Sequence, residues 1–425
     1  MAIQALLVYI IATYFPLIFT FLPLLGKLKI VLLAGVVLLV SFAANQNKYT
    51  NTTAHRNPIV YCWAVFLFLM MLGIFGSLDQ GRTLELIELN FKYFLVFMVM
   101  IKIVDTAERL QKVLFTFTLC GVGMAISTTY NYVFNIGGSA DLTGGYRAIA
   151  LESGVFADPN DLAVLLNSIL PFAAYFFLVK EKKTLPLIGV LVIATGIILT
   201  HSRAGFLGLC MTGLTFLFLF GKTKKKYIFL FLGLAILLWS VAPESYKERI
   251  STITDWEVDE ETGKTGTRMD AWKIGMVEGL KRPILGVGAG SGVYVMGKSA
   301  ADWHDIHNAF VQVFVDIGIP GFIAYLSLFM IPHRKFKEYR AFVRNFENDP
   351  IKFDLLHKMV MASLRAFAVT AFFTPQAYSP LLSTLTGITV IVLELTKKEI
   401  KLLNVSRTKL SDYPPPVGQL RGARL

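Results

Sequence analysis

Long apolar runs without a single charge constrain this chain more than any other feature. Tyr61–Ile74 and Leu185–Thr200 contain no acidic or basic side chain, and similar blocks recur along the sequence. A bilayer core about 30 Å thick is crossed by roughly 20 apolar helical residues, and repeated blocks near that length fit crossings better than buried soluble helices. The expected fold class is all-α: a polytopic membrane protein with about 12 transmembrane helices, since only helices and closed barrels satisfy their backbone in lipid. Chemistry, if any, then takes place at or beside the bilayer.

The chain has 425 residues, 55% of them hydrophobic, and a mean hydropathy of +0.59. The first stretch, Ile3–Leu25, has no basic leader and no small-residue cleavage site, and it carries Pro16 and Pro23. It reads as a retained first span. Cys62, Cys120 and Cys210 all lie inside apolar blocks and read as packing residues, not a disulfide framework. The net charge of +12 is gathered in short stretches between spans, where anionic phospholipids are the natural partner. With no zinc-finger spacing and no aromatic-basic surface, nucleic-acid binding is excluded.

Expected spans are 3–25, 30–44, 58–78, 84–104, 110–133, 160–179, 184–200, 204–220, 227–242, 308–331, 359–373 and 381–396. With the N-terminus inside, alternate connections at 45–57, 102–112, 180–183, 221–226, 331–358 and after 396 hold 26 of the 41 Lys and Arg. The short outer connections are nearly bare, so the positive-inside rule sets the orientation and puts both termini in the cytoplasm. The expected organisation is 1–242 for nine helices, 243–306 for a large periplasmic loop, and 307–396 for the last three helices with their cytoplasmic connection 331–358. Residues 397–425 form a disordered cytoplasmic tail. The N-glycosylation triplets at Asn51 and Asn404 are set aside, because both fall on the cytoplasmic side.

Within 243–306, Thr267-Arg268-Met269-Asp270 reads as a capping box. Met269, Trp272, Met276 and Leu280 then mark one face of an amphipathic helix, lying on the lipid interface or over the spans. The run Gly286-Val287-Gly288-Ala289-Gly290-Ser291-Gly292 has no preceding strand and no βαβ unit, which removes a dinucleotide site. A tightly turning connector or a backbone-lined anion or sugar contact remain.

Arg82, Arg147, Arg203 and Arg268 stand at or beyond the outer boundary. Arg203, in the short turn Thr200–Gly205, either grips a phosphate with its planar donor fork or snorkels to lipid headgroups. Asp158 or Asn160 can cap the following helix, which leaves Arg147 unexplained. His304 and His307 offer a general base near neutral pH, a weak metal pair, or interfacial packing. Asp316 stands nine residues past His307, about 13 Å along one helix, so it cannot orient that imidazole directly. Gly318, Pro320 and Gly321 are placed to break the helix just after it and leave Asp316 in a polar pocket. The alternative is a hydrogen-bonded core aspartate, with Arg365 as a possible partner.

Four ordered pieces resemble the O-antigen ligase and polymerase superfamily. They are Tyr146-Arg147 with Gly154–Ala163, Thr200–Gly205, Arg268–Gly290, and His307-Asn308 followed by Asp316, Gly318 and Gly321. The acidic position is Asp316 where members of the superfamily usually carry Glu. The resemblance implies a GT-C-like ligase fold in the cell inner membrane and a glycosyltransferase working at the periplasmic face. Its donor is a glycan on undecaprenyl pyrophosphate and its acceptor is lipid A–core. A polymerase, a protein O-oligosaccharyltransferase and a non-enzymatic lipid-glycan transporter are the other readings. His307 is the expected catalytic base; Arg203, Arg268 and, more peripherally, Arg147 bind the donor; Asp316, Asn308 and His304 support the site. Neither a metal nor a cofactor is expected.

Overall fold

The structure, a computed structural model, describes residues 1–16, 29–50, 53–136, 139–140, 146–150, 156–220, 229, 233, 236, 239–240, 242–251, 268–295, 306–343 and 351–411. The helices are α1 (Ala2–Tyr14), α2 (Ile30–Ala43), α3 (Pro58–Gly73), α4 (Gln80–Ile103) and α5 (Ala107–Phe134). Two short antiparallel strands follow, β1 (Ser139–Ala140) and β2 (Tyr146–Arg147), with Ser139 opposite Arg147. Then come α6 (Pro159–Val179), α7 (Thr184–Leu199), α8 (Arg203–Phe220), α9 (Glu244–Ser251), α10 (Arg268–Lys281), α11 (Ala309–Val343), α12 (Phe353–Ala371) and α13 (Pro380–Ser411).

This is a polytopic α-helical membrane protein. Five helices among the described residues have full crossing length and hydropathy: α3 with its following turn, α5, α6, α11 and α13. Helices α1, α2, α7 and α8 are apolar but shorter. The expected spans 84–104 and 359–373 coincide with α4 and α12. Those helices carry Glu88, Lys92 and Lys102, and Asp354, Lys358 and Arg365, so composition alone does not mark them as crossings. The expected span 227–242 falls largely outside the described residues. Among the described residues the structure thus holds five helices long and apolar enough to cross, where sequence reading expects twelve spans in the whole chain.

Burial separates the centre of the bundle from its rim. The apolar windows of α13 and α6 are 89% and 83% buried, whereas that of α3 is 39%. Helix α2 buries Ala34 and Leu38 and turns Leu32, Leu33, Val36, Val37 and Val40 outward, as expected of a lipid-facing helix. Small residues bring helices close: a Cβ on Gly196 would lie 2.7 Å from Ala125 Cβ, and one on Gly205 2.9 Å from Ala163 Cβ. Such contacts drive association where lipid removes the hydrophobic difference between helix and surroundings. Buried polar stitches add direction. Tyr14 donates to the Pro380 carbonyl at 3.0 Å, the Trp63 indole to Thr386 Oγ1 at 2.9 Å, and the Tyr175 hydroxyl to the Ile351 carbonyl at 2.8 Å.

Helix α11 is two helices in sequence. Gly318 has φ 76° and ψ −173°, outside any helical region. The Phe310 ring lies 5.5 Å from Tyr325 and 5.8 Å from Phe329, although 19 residues of straight helix would separate Phe310 and Phe329 by about 28 Å. The chain therefore folds back at Gly318. Ala309–Ile317 is a re-entrant arm, too short to cross a bilayer, and the second arm runs on to Val343.

Other expectations need correction. The expected connection 331–358 is helical as far as Val343, and α13 continues to Ser411, so 397–411 is helix and not disordered tail. Hydropathy marks only the part of a helix that lies in lipid, so polar extensions escape it. For α10 the first of its two expected placements fits: it buries Ala271, Gly275 and Gly279, while Met269, Met276 and Leu280 stay exposed. Cβ atoms at Gly275 and Gly279 would stand 3.1 Å from Val311 and 2.5 Å from Phe314. Absent side chains let α10 press onto the re-entrant arm, and the larger residues face outward.

Candidate active site

The turn joining α7 to α8 is built residue by residue. The Thr200 hydroxyl donates to the Ile197 carbonyl at 2.7 Å, and His201 takes a left-handed φ of 51°. Ser202 Oγ accepts the Gly205 N–H at 3.1 Å and caps α8. That leaves half-buried Arg203 as the first residue of α8, at the positive end of the helix dipole, a natural place for an anion. His201 lies between the rings of Tyr132 and Tyr246, at 6.0 and 5.7 Å.

Arg147, only 4% exposed, reaches beneath this turn. Its Nη2 donates to Asn160 Oδ1 at 3.0 Å and its Nε to the Thr200 carbonyl at 3.5 Å. The Ser202 hydroxyl donates to the same Asn160 oxygen at 2.8 Å. Of the two expected caps, Asp158 does the capping by accepting the Asn160 N–H at 2.7 Å, and the Asn160 side chain serves Arg147 and Ser202.

A second cluster forms around Arg268 and His307. Arg268 opens α10, and its Nη1 donates to the Phe373 carbonyl at 3.3 Å. Its expected capping partner Thr267 lies outside the described residues. One turn on, the Trp272 indole donates to the Ile306 carbonyl at 3.0 Å and its ring meets Phe372 edge-on at 5.2 Å. Asn308 caps the re-entrant arm, its Oδ1 accepting the N–H groups of Phe310 and Val311 at 3.0 and 3.1 Å. His307 is thus held on both sides, half-buried, with a left-handed φ of 49°. Such a conformation is uncommon outside glycine and persists where the surroundings over-determine it. His304 lies outside the described residues.

Helix register puts both clusters at one end of the bundle. Ser363 of α12 donates to the Ser168 carbonyl of α6 at 2.5 Å, and Tyr175 donates to Ile351. These pairings run antiparallel, so Asn160 comes level with the end of α12 and Phe373. Gly205 packs on Ala163, and Gly208 on Asn167 and Thr370, which brings the start of α8 to the same level.

The glycine run resolves into a connector wrapped on the hinge. Reversal at Gly318 leaves carbonyls of the re-entrant arm without helical partners. Val287 N–H donates to the Val315 carbonyl at 2.9 Å and Gly288 N–H to that of Asp316 at 3.0 Å; Ile319 N–H donates to Pro283 at 2.7 Å. The Asp316 carboxylate accepts the N–H groups of Gly290 and Gly292 at 2.9 and 2.8 Å and the Tyr378 hydroxyl at 2.9 Å. The anion on these glycines is the protein's own carboxylate. Arg365 lies instead against His333, with 3.4 Å between Nη2 and Nδ1. At the outer rim Tyr294 donates to Asp79. That bond, then the Arg82 N–H, holds the Asp79 carboxyl below the usual range, and the same bond to Asp79 pushes the Tyr294 phenol up.

Sequence reasoning held Ser202 and Trp272 within its motifs without giving them a role, and it missed Tyr378. The one available signal was polar density in the bare outer turn 374–380, where Gln376, Tyr378 and Ser379 are all buried. Residues 188–326 match the family model described as O-antigen ligase. That range contains Arg203, Arg268, the glycine run, His307, Asp316 and Gly318, and it leaves Arg147 outside. No curated protein matches the chain.

Proposed function

We propose that this chain, which carries an O-antigen ligase domain, is a membrane-embedded glycosyltransferase passing a glycan from undecaprenyl pyrophosphate to a lipid A–core hydroxyl at the periplasmic face. The observation that carries the reading is the gathering of two helix-opening arginines, Arg203 and Arg268, and His307 at one end of the bundle. Two phosphates need more cationic donors than one side chain provides, and planar guanidinium forks at helix N-termini suit them. Arg147, buried beneath the Arg203 turn, holds that turn in place through Asn160 and Ser202.

In this mechanism the acceptor hydroxyl oxygen attacks the anomeric carbon while His307 takes its proton. The bond from that carbon to the phosphate oxygen breaks, and its electron pair leaves with undecaprenyl pyrophosphate, balanced by Arg203 and Arg268. One displacement inverts the anomeric centre, and the arginines do the charge balancing that a divalent metal would otherwise do. Asp316 supports the site by holding the glycine run, and Asn308 by capping the arm behind His307.

Arg203→Lys keeps the charge and loses the fork. Transfer by the purified protein is expected to fall about ten- to hundredfold, the range for a lost charged hydrogen bond, with the unfolding temperature unchanged. Wild-type turnover would count against the donor assignment. Product analysis with lipid A–core or a second lipid-linked repeat as acceptor separates ligase from polymerase.

The reading carries twelve crossings, both termini in the cytoplasm and 243–306 as the periplasmic domain. A reporter fused after residue 226 should behave as cytoplasmic and one near 260 as periplasmic, because charged connections stay inside. The reverse pattern would sink this topology.

A further inference from the structure

Polar residues recur every fourth position along one face of the re-entrant arm: Asn308 at its cap, then Gln312 and Asp316. Asp316 is taken up by Gly290, Gly292 and Tyr378. The other two are not satisfied in the same way. Asn308 is fully buried, its Oδ1 is spent on the cap, and its Nδ2 has no hydrogen-bond partner among the described residues. Gln312 is 9% exposed, and its Oε1 likewise has none. A buried amide left without a partner costs about 1–3 kcal/mol, so native structures rarely keep one without a reason. Here two stand one turn apart, directly after His307.

The rest of the arm is committed to apolar packing. Phe310 meets Tyr325 and Phe329, Phe314 meets Phe322, and Val311 and Val315 close on Gly275 of α10. The polar face looks toward the turn after α12, which supplies Tyr378 to Asp316 and the Phe373 carbonyl to Arg268. This face therefore shares its surroundings with both Arg268 and His307.

We infer that Asn308 and Gln312 bind the sugar of the donor next to its anomeric carbon. This subsite rests on the lipid-linked donor proposed above. The two free atoms are neutral, one a donor and one an acceptor, and the residues lie about 6 Å apart along the helix. That chemistry matches hydroxyl or acetamido groups of a pyranose ring, whereas phosphate is served by the arginines. The arm then grips the sugar and presents it to His307, and the vacant hydrogen-bonding capacity of both carboxamides is filled when the donor is in place.

The test compares binding of two lipids by the full-length protein in nanodiscs: bare undecaprenyl pyrophosphate and the same lipid carrying its glycan. Gln312→Met keeps the side-chain volume and removes the amide, and Gln312→Glu keeps the shape as a second variant should the first not fold. Each variant is expected to bind the bare lipid as wild type does. Affinity for the glycan-bearing lipid should fall about three- to tenfold, the range for one neutral hydrogen bond, with a matching rise in donor KM and a smaller change in kcat. Equal affinity of wild type and variants for the glycan-bearing lipid would overturn the subsite, and so would parallel loss for both lipids. Wild-type protein that binds neither lipid would remove the donor reading and this inference with it.

Discussion

His307→Ala is expected to abolish glycan transfer while leaving the protein folded. A sugar hydroxyl is a poor nucleophile at neutral pH, and a positioned base that takes its proton contributes about 10²- to 10⁴-fold. The leaving pyrophosphate needs no such help once its charge is balanced, so the loss falls on kcat and donor binding survives. The fold should tolerate the change because the backbone on either side is held by other residues: Trp272 binds the Ile306 carbonyl and Asn308 caps the arm. The left-handed φ of 49° at His307 is a small complication, since alanine dislikes that region. Asparagine tolerates it, so His307→Asn separates loss of the base from backbone strain. Transfer from lipid-linked donor to acceptor in liposomes, with unfolding temperature measured alongside, checks both variants. Both should be inactive, His304→Ala should lose much less, and EDTA should have little effect. Full activity in either His307 variant would remove the base assignment, and EDTA inhibition reversed by added metal would remove the metal-free one.

Much of the bundle was legible because bilayer crossing demands apolar length, which α3, α5 and α6 display directly. The hinge was legible in part. Gly318, Pro320 and Gly321 mark a break, but a reversal depends on the dihedral angles of one glycine and on Phe310 finding Tyr325 and Phe329. No local pattern announces such distant contacts. The same limit hid Tyr378, 62 residues from the Asp316 it serves. It also hid the sharing of Asn160 between Arg147 and Ser202, where local capping chemistry offered a sufficient explanation for an asparagine at that place. For α10 the period was right, and of the two placements open to its apolar face the outward one fits, with Met269, Met276 and Leu280 exposed. In water the apolar stripe of a helix turns inward, but beside lipid it can remain outside while Ala271, Gly275 and Gly279 make the close contact. The arginine and histidine motifs stood out for a different reason: charge and imidazole at the edge of a bilayer are costly enough to be conspicuous.

Gly318→Ala is expected to be strongly damaging for a change of a single methyl. Backbone angles of 76° and −173° belong to a region open almost only to glycine, and forcing another residue there costs about 1–3 kcal/mol. Space adds to that cost, because a Cβ at Gly318 would lie 2.6 Å from the carbonyl oxygens of both Pro283 and Ile284. These are backbone atoms, one of which accepts the Ile319 N–H, so they cannot swing aside as a side chain might. Relief requires the connector to lift off the hinge. That movement would break the bonds from Val287 and Gly288 to the arm and loosen the grip of Gly290 and Gly292 on Asp316. The consequence is a lowered unfolding temperature in detergent and, because the same arm carries His307, a loss of transfer that better donor binding cannot restore. Asp316→Asn should reproduce a milder form. An amide presents one acceptor where the carboxylate presents two, so one glycine N–H is left facing an NH₂ group, at about 1.5–3 kcal/mol for a lost charged hydrogen bond. Asp316→Glu adds a methylene where the carboxylate already meets the Gly290 and Gly292 N–H groups at 2.9 and 2.8 Å, and should also destabilise. Measured by thermal unfolding, the expected order of stability is wild type, then the two Asp316 variants, then Gly318→Ala. A Gly318→Ala protein as stable and as active as wild type would mean that the chain does not reverse at this residue.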